Sequence, residues 1–225
     1  KLGLEVKILN DAVAAVWGEK VFGIGGNVRN LVYVTLSTGI GVGVIVDDHL
    51  LIGKDGNAHE VGHIVVDFNG TMRCGCGKLG HWEAYTSGRN IPKYVAHLVR
   101  TKFPQLLSTS SLKKYFNEGK LTAEILFREA KRGDALALKI VEEIGKVNAA
   151  GFASIINAYD PELVTVGGAI ALNNSELVLK YLIKYLDFYV LNRKPEIKIT
   201  PLGEDIVLYG ALALIAKPPS YYAKL

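Results

Sequence analysis

LVYVTLSTGIGVGVIVDDHLLI, residues 31–52, carries the reading that decides the fold. β-branched and aliphatic residues dominate two runs separated by Ser37-Thr38-Gly39, so 30–37 and 40–47 are expected as paired strands. A short run at 49–52 and another at 63–67 follow after Gly- and Asp-containing connections, which predicts consecutive antiparallel hairpins.

Outward from this core the pattern changes. Upstream, Asn10–Asp11 opens a helix over 12–20 that leaves through Gly23-Ile-Gly-Gly. Downstream, apolar spacing predicts helices over 89–100 and 121–131, the latter with Thr122 as N-cap. From Asp134 a long run keeps a helical period and stops before Pro161. A buried strand at 163–166 runs into Gly167–Gly168, and a helix at 175–190, a strand at 196–200 and a helix at 207–216 complete the chain. Hairpin strands followed by alternating helices and strands imply an α/β fold, a mixed β-sheet flanked by helices. The order resembles the ribonuclease-H-like lobe of an actin-type ATPase.

Composition excludes several classes. With 49% hydrophobic and 21% charged residues in 225, the chain is globular. No stretch approaches the roughly 20 apolar residues of a membrane span, so no membrane partner is expected. The opening KLGLEVKILNDA has neither signal-peptide features nor an initiator Met, and reads as a start inside a longer protein. The formal charge is +4, but the basic residues are scattered without interleaved aromatics, so no nucleic-acid partner is expected. An anionic substrate gains slightly from the excess.

Cys74 and Cys76 are separated by one glycine, too close for an unstrained disulfide. They read as metal ligands in a reducing, cytoplasmic setting. His81 lies on the same glycine-rich loop, and His63 supplies a fourth ligand from a strand end, with His59 as an alternative. Four soft ligands fill a tetrahedron and leave no place for water, so the expected ion is structural Zn²⁺. Glu60 and Glu83 flank the loop. They are either surface glutamates or carboxylates held to accept hydroxyls of a sugar. Asn10–Asp11 is either a helix cap or a general base beside a phosphoryl acceptor. The Ser37–Gly43 turn is not a P-loop, since it lacks Gly-Lys-Ser/Thr and joins two strands, yet it admits phosphate closely.

Taken in order, NDAVAAVWGE, STGIGVG, HEVGH, CGCGKLGHWE and DPELVTVGG resemble the signature set of the ROK family of repressors and sugar kinases. The resemblance implies transfer of the γ-phosphoryl of ATP, with Mg²⁺, to a hexose such as glucose, at O6. It implies Asp11 as catalytic base. Asn10, Glu60, His63 and Glu83 would contact the sugar. Thr38, Gly39, Gly167 and Gly168 would bind nucleotide. His63, Cys74, Cys76 and His81 would hold zinc, and a homo-oligomer is compatible with it. His81 departs from the family, which has a third cysteine there. The resemblance also implies three segments: 1–28 as the end of a small lobe and the active-site helix, 29–204 as the large lobe, and 205–225 as a helix returning to the small lobe. Nothing in the chain matches the family's Asp-x-Gly-Gly-Thr phosphate loop, so little turnover is expected from these residues alone, together with an exposed apolar patch. Two rival readings share the same motifs: the sugar-sensing domain of a ROK repressor, and a zinc-stabilised sugar-binding module without catalysis.

Overall fold

The computed structural model describes residue 3 and residues 6–219; the outer ends of the expected segments 1–28 and 205–225 lie outside the described residues. The first element, α1 (Asp11–Phe22), leads into strands β1 (Leu31–Leu36), β2 (Ile40–Val46) and β3 (His49–Leu50). An irregular stretch then reaches α2 (Glu83–Thr86), α3 (Ile91–Thr101), α4 (Leu112–Asn117), α5 (Ala123–Lys131) and α6 (Ala135–Tyr159). The chain finishes as β4 (Leu163–Gly167), α7 (Ala169–Asn173), α8 (Ser175–Leu186), β5 (Glu196–Ile199) and α9 (Ile206–Ala216).

The sheet order is β3-β2-β1-β4-β5. β1 pairs antiparallel with β2 and parallel with β4, and β5 adds parallel to β4. β1 is apolar on both faces because both are covered. Val32, Val34 and Leu36 face a core built by α3, α5, α6 and α8, with Phe127, Ile140 and Phe152 at its centre. Leu31 and Tyr33 face the opposite layer, where Val13, Val16 and Trp17 of α1 pack with Ala213 of α9.

Local signals place the helices. Thr122 caps α5 by accepting from the Ile125 N–H at 3.2 Å, and Asp134 caps α6 by accepting from the Ala137 N–H at 2.9 Å. α6 ends at Asp160 in the left-handed conformation (φ 44°), just before Pro161. Close approach of α1 to the sheet depends on Gly43, where a Cβ would lie 2.2 Å from the Ala12 carbonyl oxygen. That glycine belongs to the STGIGVG run, but its place is under a helix. The outer side of α9 leaves Leu208, Leu212 and Ile215 exposed, which is the apolar surface the sequence led one to expect.

The expected strand at 63–67 does not form. A 3₁₀ turn occupies Val61–His63, and beyond it only a single antiparallel bridge joins Val65 to His81. His63 therefore stands at the end of a turn, not of a strand. The run His-Ile-Val-Val-Asp has strand-like composition but no continuous partner edge, and its backbone hydrogen bonds go instead to the loop 80–82.

Candidate functional site

The N-terminus of α1 divides the work of two adjacent polar residues. Asn10 is the cap: its Oδ1 accepts from the N–H groups of Ala12 and Val13 at 2.9 and 3.3 Å. Asp11 is the first helical residue and is exposed, with Oδ1 2.7 Å from the Ala12 N–H. The helix end favours negative charge at that point.

Across from α1, residues 60–83 are held by turns. The Val61–His63 turn sits directly on β2 because Gly62 has no side chain; a Cβ there would lie 2.3 Å from the Ile40 carbonyl oxygen. The cysteine loop closes on itself through Cys74 N–H to Lys78 O at 2.8 Å and Gly80 N–H to Met72 O at 3.0 Å. Its base is clamped by Asp67, which accepts from the N–H groups of Asn69 and Thr71 and from the Tyr85 hydroxyl. Burial opposes the Asp67 charge, but these hydrogen bonds outweigh it and hold its pKa at about 2. The Tyr85 hydroxyl in turn accepts from the Met72 N–H at 3.0 Å. Next to the loop, Trp82 is fully buried and donates from Nε1 to Asn148 of α6 at 2.9 Å.

One ligand atom each from His63, Cys74, Cys76 and His81 lie within 4.8 Å of one another. Cys74 Sγ is 3.6 Å from His63 Nδ1, and Cys76 Sγ is 3.3 Å from His81 Nδ1. The edges of a tetrahedron with Zn–S and Zn–N bonds of about 2.3 and 2.0 Å are about 3.3–3.8 Å, so the donors fit zinc in number and type, and the two cysteine–histidine pairs fit it in spacing. Without a metal, burial pushes the Cys74 thiol up to about 11. Burial, then the neighbouring His63, lowers His81 from the usual imidazole value. A neutral imidazole is the ligating form, and a dication at the centre favours the thiolate. His59 lies outside this cluster; its Nε2 is bonded to the Gly56 carbonyl at 2.8 Å.

The cluster is coupled to both carboxylates. His63 turns Nε2 toward Glu60, 3.6 Å from Oε2, while its Nδ1 faces Cys74. A carboxylate behind a ligating imidazole orients the ring and raises its basicity. Glu83 has Oε1 3.5 Å from Cys74 Sγ and accepts the Ile40 N–H on Oε2 at 3.1 Å. The turn Ser37-Thr38-Gly39 is thus anchored by Glu83 on one side. On the other, the N–H groups of Gly88 and Arg89 donate to the carbonyls of Ser37 and Thr38 at 2.7 and 3.2 Å.

These elements enclose a cavity of about 450 Å³ lined by Asn10, Asp11, Thr38, Gly39, Glu60, His63 and Glu83. His59 also lines it. Ser37 and Thr38 are shared with a second cavity of about 860 Å³, which continues between α5 and α7. Gly167 and Gly168 line neither cavity; Gly167 ends β4, Gly168 turns the chain at φ 82°, and the following Ala169 and Ile170 form the wall.

Three sets of residues escaped the sequence reading. Asp67 and Tyr85 brace the cysteine loop, Gly88 and Arg89 brace the turn through backbone donors, and the second cavity takes Arg89, Phe127, Lys131 and Asn173 from separate helices and loops. Only the Ser87-Gly88 break between two apolar runs offered a signal. No helix among the described residues is long and apolar enough to cross a membrane.

A profile of the ROK family matches residues 1–217. A glucokinase of Pyrobaculum calidifontis is 45% identical over 219 residues, which take in 97% of this chain and 68% of that relative. Among solved structures, the ROK family glucokinase of Streptomyces griseus in complex with glucose and AMPPNP superposes with a TM-score of 0.78 at 32% identity, covering 95% of this chain and 69% of that one. A ROK family transcriptional regulator, a homologue of the E. coli MLC protein, superposes with a TM-score of 0.80 at 28% identity, covering 96% of this chain and 53% of that one.

Proposed function

The chain belongs to the ROK family, and from that premise we propose that it carries the acceptor and nucleotide faces of an ATP-dependent hexose kinase of glucokinase type. The observation that carries this reading is the pair of joined cavities. Asp11, Glu60, His63 and Glu83 meet in the smaller one, and the Ser37–Thr38 turn opens from it into the larger. A phosphoryl group passing from nucleotide to sugar has to cross at that turn.

On this reading a hexose occupies the smaller cavity with Glu60, Glu83 and His63 against its hydroxyls. Asp11 takes the proton from the attacking hydroxyl, O6 in glucose, as the new O–P bond forms to the γ-phosphorus. The bond from that phosphorus to the β-bridging oxygen breaks, and ADP leaves with its electron pair. Asn10 caps the helix and so fixes where Asp11 stands. Thr38 and Gly39 offer the turn to the phosphate in transit. Mg²⁺ enters with ATP and offsets the charge of the triphosphate. His63, Cys74, Cys76 and His81 would hold a structural zinc ion, which would fix the wall that carries the two glutamates. The 225 residues alone are expected to bind zinc but to turn over little, because the family's phosphate loop is not among them.

The test is release of ADP by the full-length protein over a panel of hexoses, wild type against Asp11→Asn. Loss of the base should lower turnover by about 10²–10⁴-fold. Near-equal rates would remove Asp11 from the mechanism. The likeness to a ROK regulator keeps a sugar-sensing reading in view. The exposed Asp11 in the same cavity favours the kinase, and a protein that binds glucose but releases no ADP would reverse that choice.

A further inference from the structure

We propose that Arg89 is a phosphate-binding residue of the larger cavity, holding the part of the nucleotide that leaves as the diphosphate. The inference rests on the nucleotide reading above and adds a residue to it.

Four charged side chains line that cavity: Arg89, Glu124, Arg128 and Lys131. Two of the three cations are committed. Arg128 is paired with Glu129 at 2.9 Å and donates to the Tyr115 hydroxyl at 3.0 Å. Lys131 donates to the Asn173 carbonyl at 2.6 Å. Among the described residues, Arg89 has no ion-pair or hydrogen-bond partner for its guanidinium, and the residue is exposed. An uncommitted guanidinium suits a phosphate, whose oxygens accept its fork of N–H donors.

Its position selects which phosphate. The Arg89 N–H donates to the Thr38 carbonyl at 3.2 Å, and Gly88 beside it donates to Ser37, so the backbone of Arg89 is stitched to the turn shared by the two cavities. Arg89 lines the larger cavity and not the smaller one. The phosphoryl group that crosses to the sugar moves into the smaller cavity. The phosphates that stay behind remain on the side of Arg89. Its contact is therefore kept in ADP as well as in ATP.

The experiment titrates the full-length protein with ADP and with adenosine, comparing wild type, Arg89→Gln and Arg89→Lys. A charge-assisted hydrogen bond is worth about 1.5–3 kcal/mol, so Arg89→Gln should weaken ADP binding about 10–100-fold. Adenosine binding, glucose binding and melting temperature should be unchanged, and Arg89→Lys should recover part of the ADP affinity. A merely structural role would weaken adenosine in step with ADP. Equal ADP affinity in wild type and Arg89→Gln overturns the role of Arg89 alone. A wild-type protein that binds neither ADP nor adenosine overturns the nucleotide site and this residue with it.

Discussion

On one wall of the small cavity, α1 lies against β1 and β2 with Val13, Val16, Leu31 and Tyr33 buried between them. On the facing wall, residues 60–83 bury Val61, Met72, Cys74 and Trp82 but leave Phe68 97% exposed and Val65 61% exposed. The first wall is placed by packing, and Gly43 sets how close the helix comes. The second exposes more of its apolar side chains, and turns, the Asp67–Tyr85 clamp and the clustered donors His63, Cys74, Cys76 and His81, proposed above to hold zinc, stand where packing stood in the first. The division suits the sugar site proposed for this cavity. Hydroxyl recognition needs carboxylates at fixed places near the surface, and a hydrophobic core is a poor way to fix them. A metal cross-link does so without burying the residues it positions.

The contrast is most easily broken at the metal. Stripping zinc from the protein should unfold 60–83 and leave the sheet intact. In hydrogen exchange the amides of Cys74 and Gly80 should lose protection by orders of magnitude, since structural zinc contributes about 10–16 kcal/mol in finger peptides, while Val32 and Val34 keep theirs. Uniform loss across the chain would mean that the two walls form one cooperative unit. The converse change is Gly43→Ala. Its new methyl would meet the Ala12 carbonyl, at 2.2 Å before relaxation, and overpacking of this kind costs about 1–3 kcal/mol. The melting temperature should fall while the zinc content stays the same as in wild type.

A smaller effect lies far from both walls. Glu142 on α6 is held by Lys184 and then by Tyr185 of α8, which bring its pKa from 4.5 to about 2. A depressed carboxylate stabilises the fold above its ordinary pKa and ceases to do so as pH falls through the folded value. The melting-temperature gap between wild type and Glu142→Gln should therefore be full above pH 4.5 and close toward about pH 2. Its size should be that of a partly exposed pair, within about 1 kcal/mol, and zinc content should not change.

Much of the packed wall was legible in the sequence, because period and punctuation encode it. The strand expected at 30–37 is β1 at Leu31–Leu36, and the helix expected at 12–20 is α1 at Asp11–Phe22. The wall of the cysteine loop was legible in its candidate ligands and illegible in its path. Cysteine and histidine spacing pointed to the four donors, but the apolar Ile64-Val65-Val66 imitated a strand that the loop does not allow. Backbone contributions left no trace beyond the Ser87-Gly88 break. Gly88 and Arg89 brace the Ser37–Thr38 turn through N–H groups that every residue but proline possesses, and the wall they help to form draws on separate segments that run from Ser37 to Asn174 in the sequence. For the same reason the glycines of STGIGVG looked alike, although Gly43 admits a helix and Gly39 faces Glu83.

The central claim is that zinc holds the sugar-binding wall while α1 independently supplies the base, and calorimetric titration of the full-length protein with glucose tests it directly. Zinc-loaded wild type and zinc-loaded Asp11→Asn should both bind glucose, and zinc-stripped wild type should not. Glucose binding that survives removal of the metal would contradict the account.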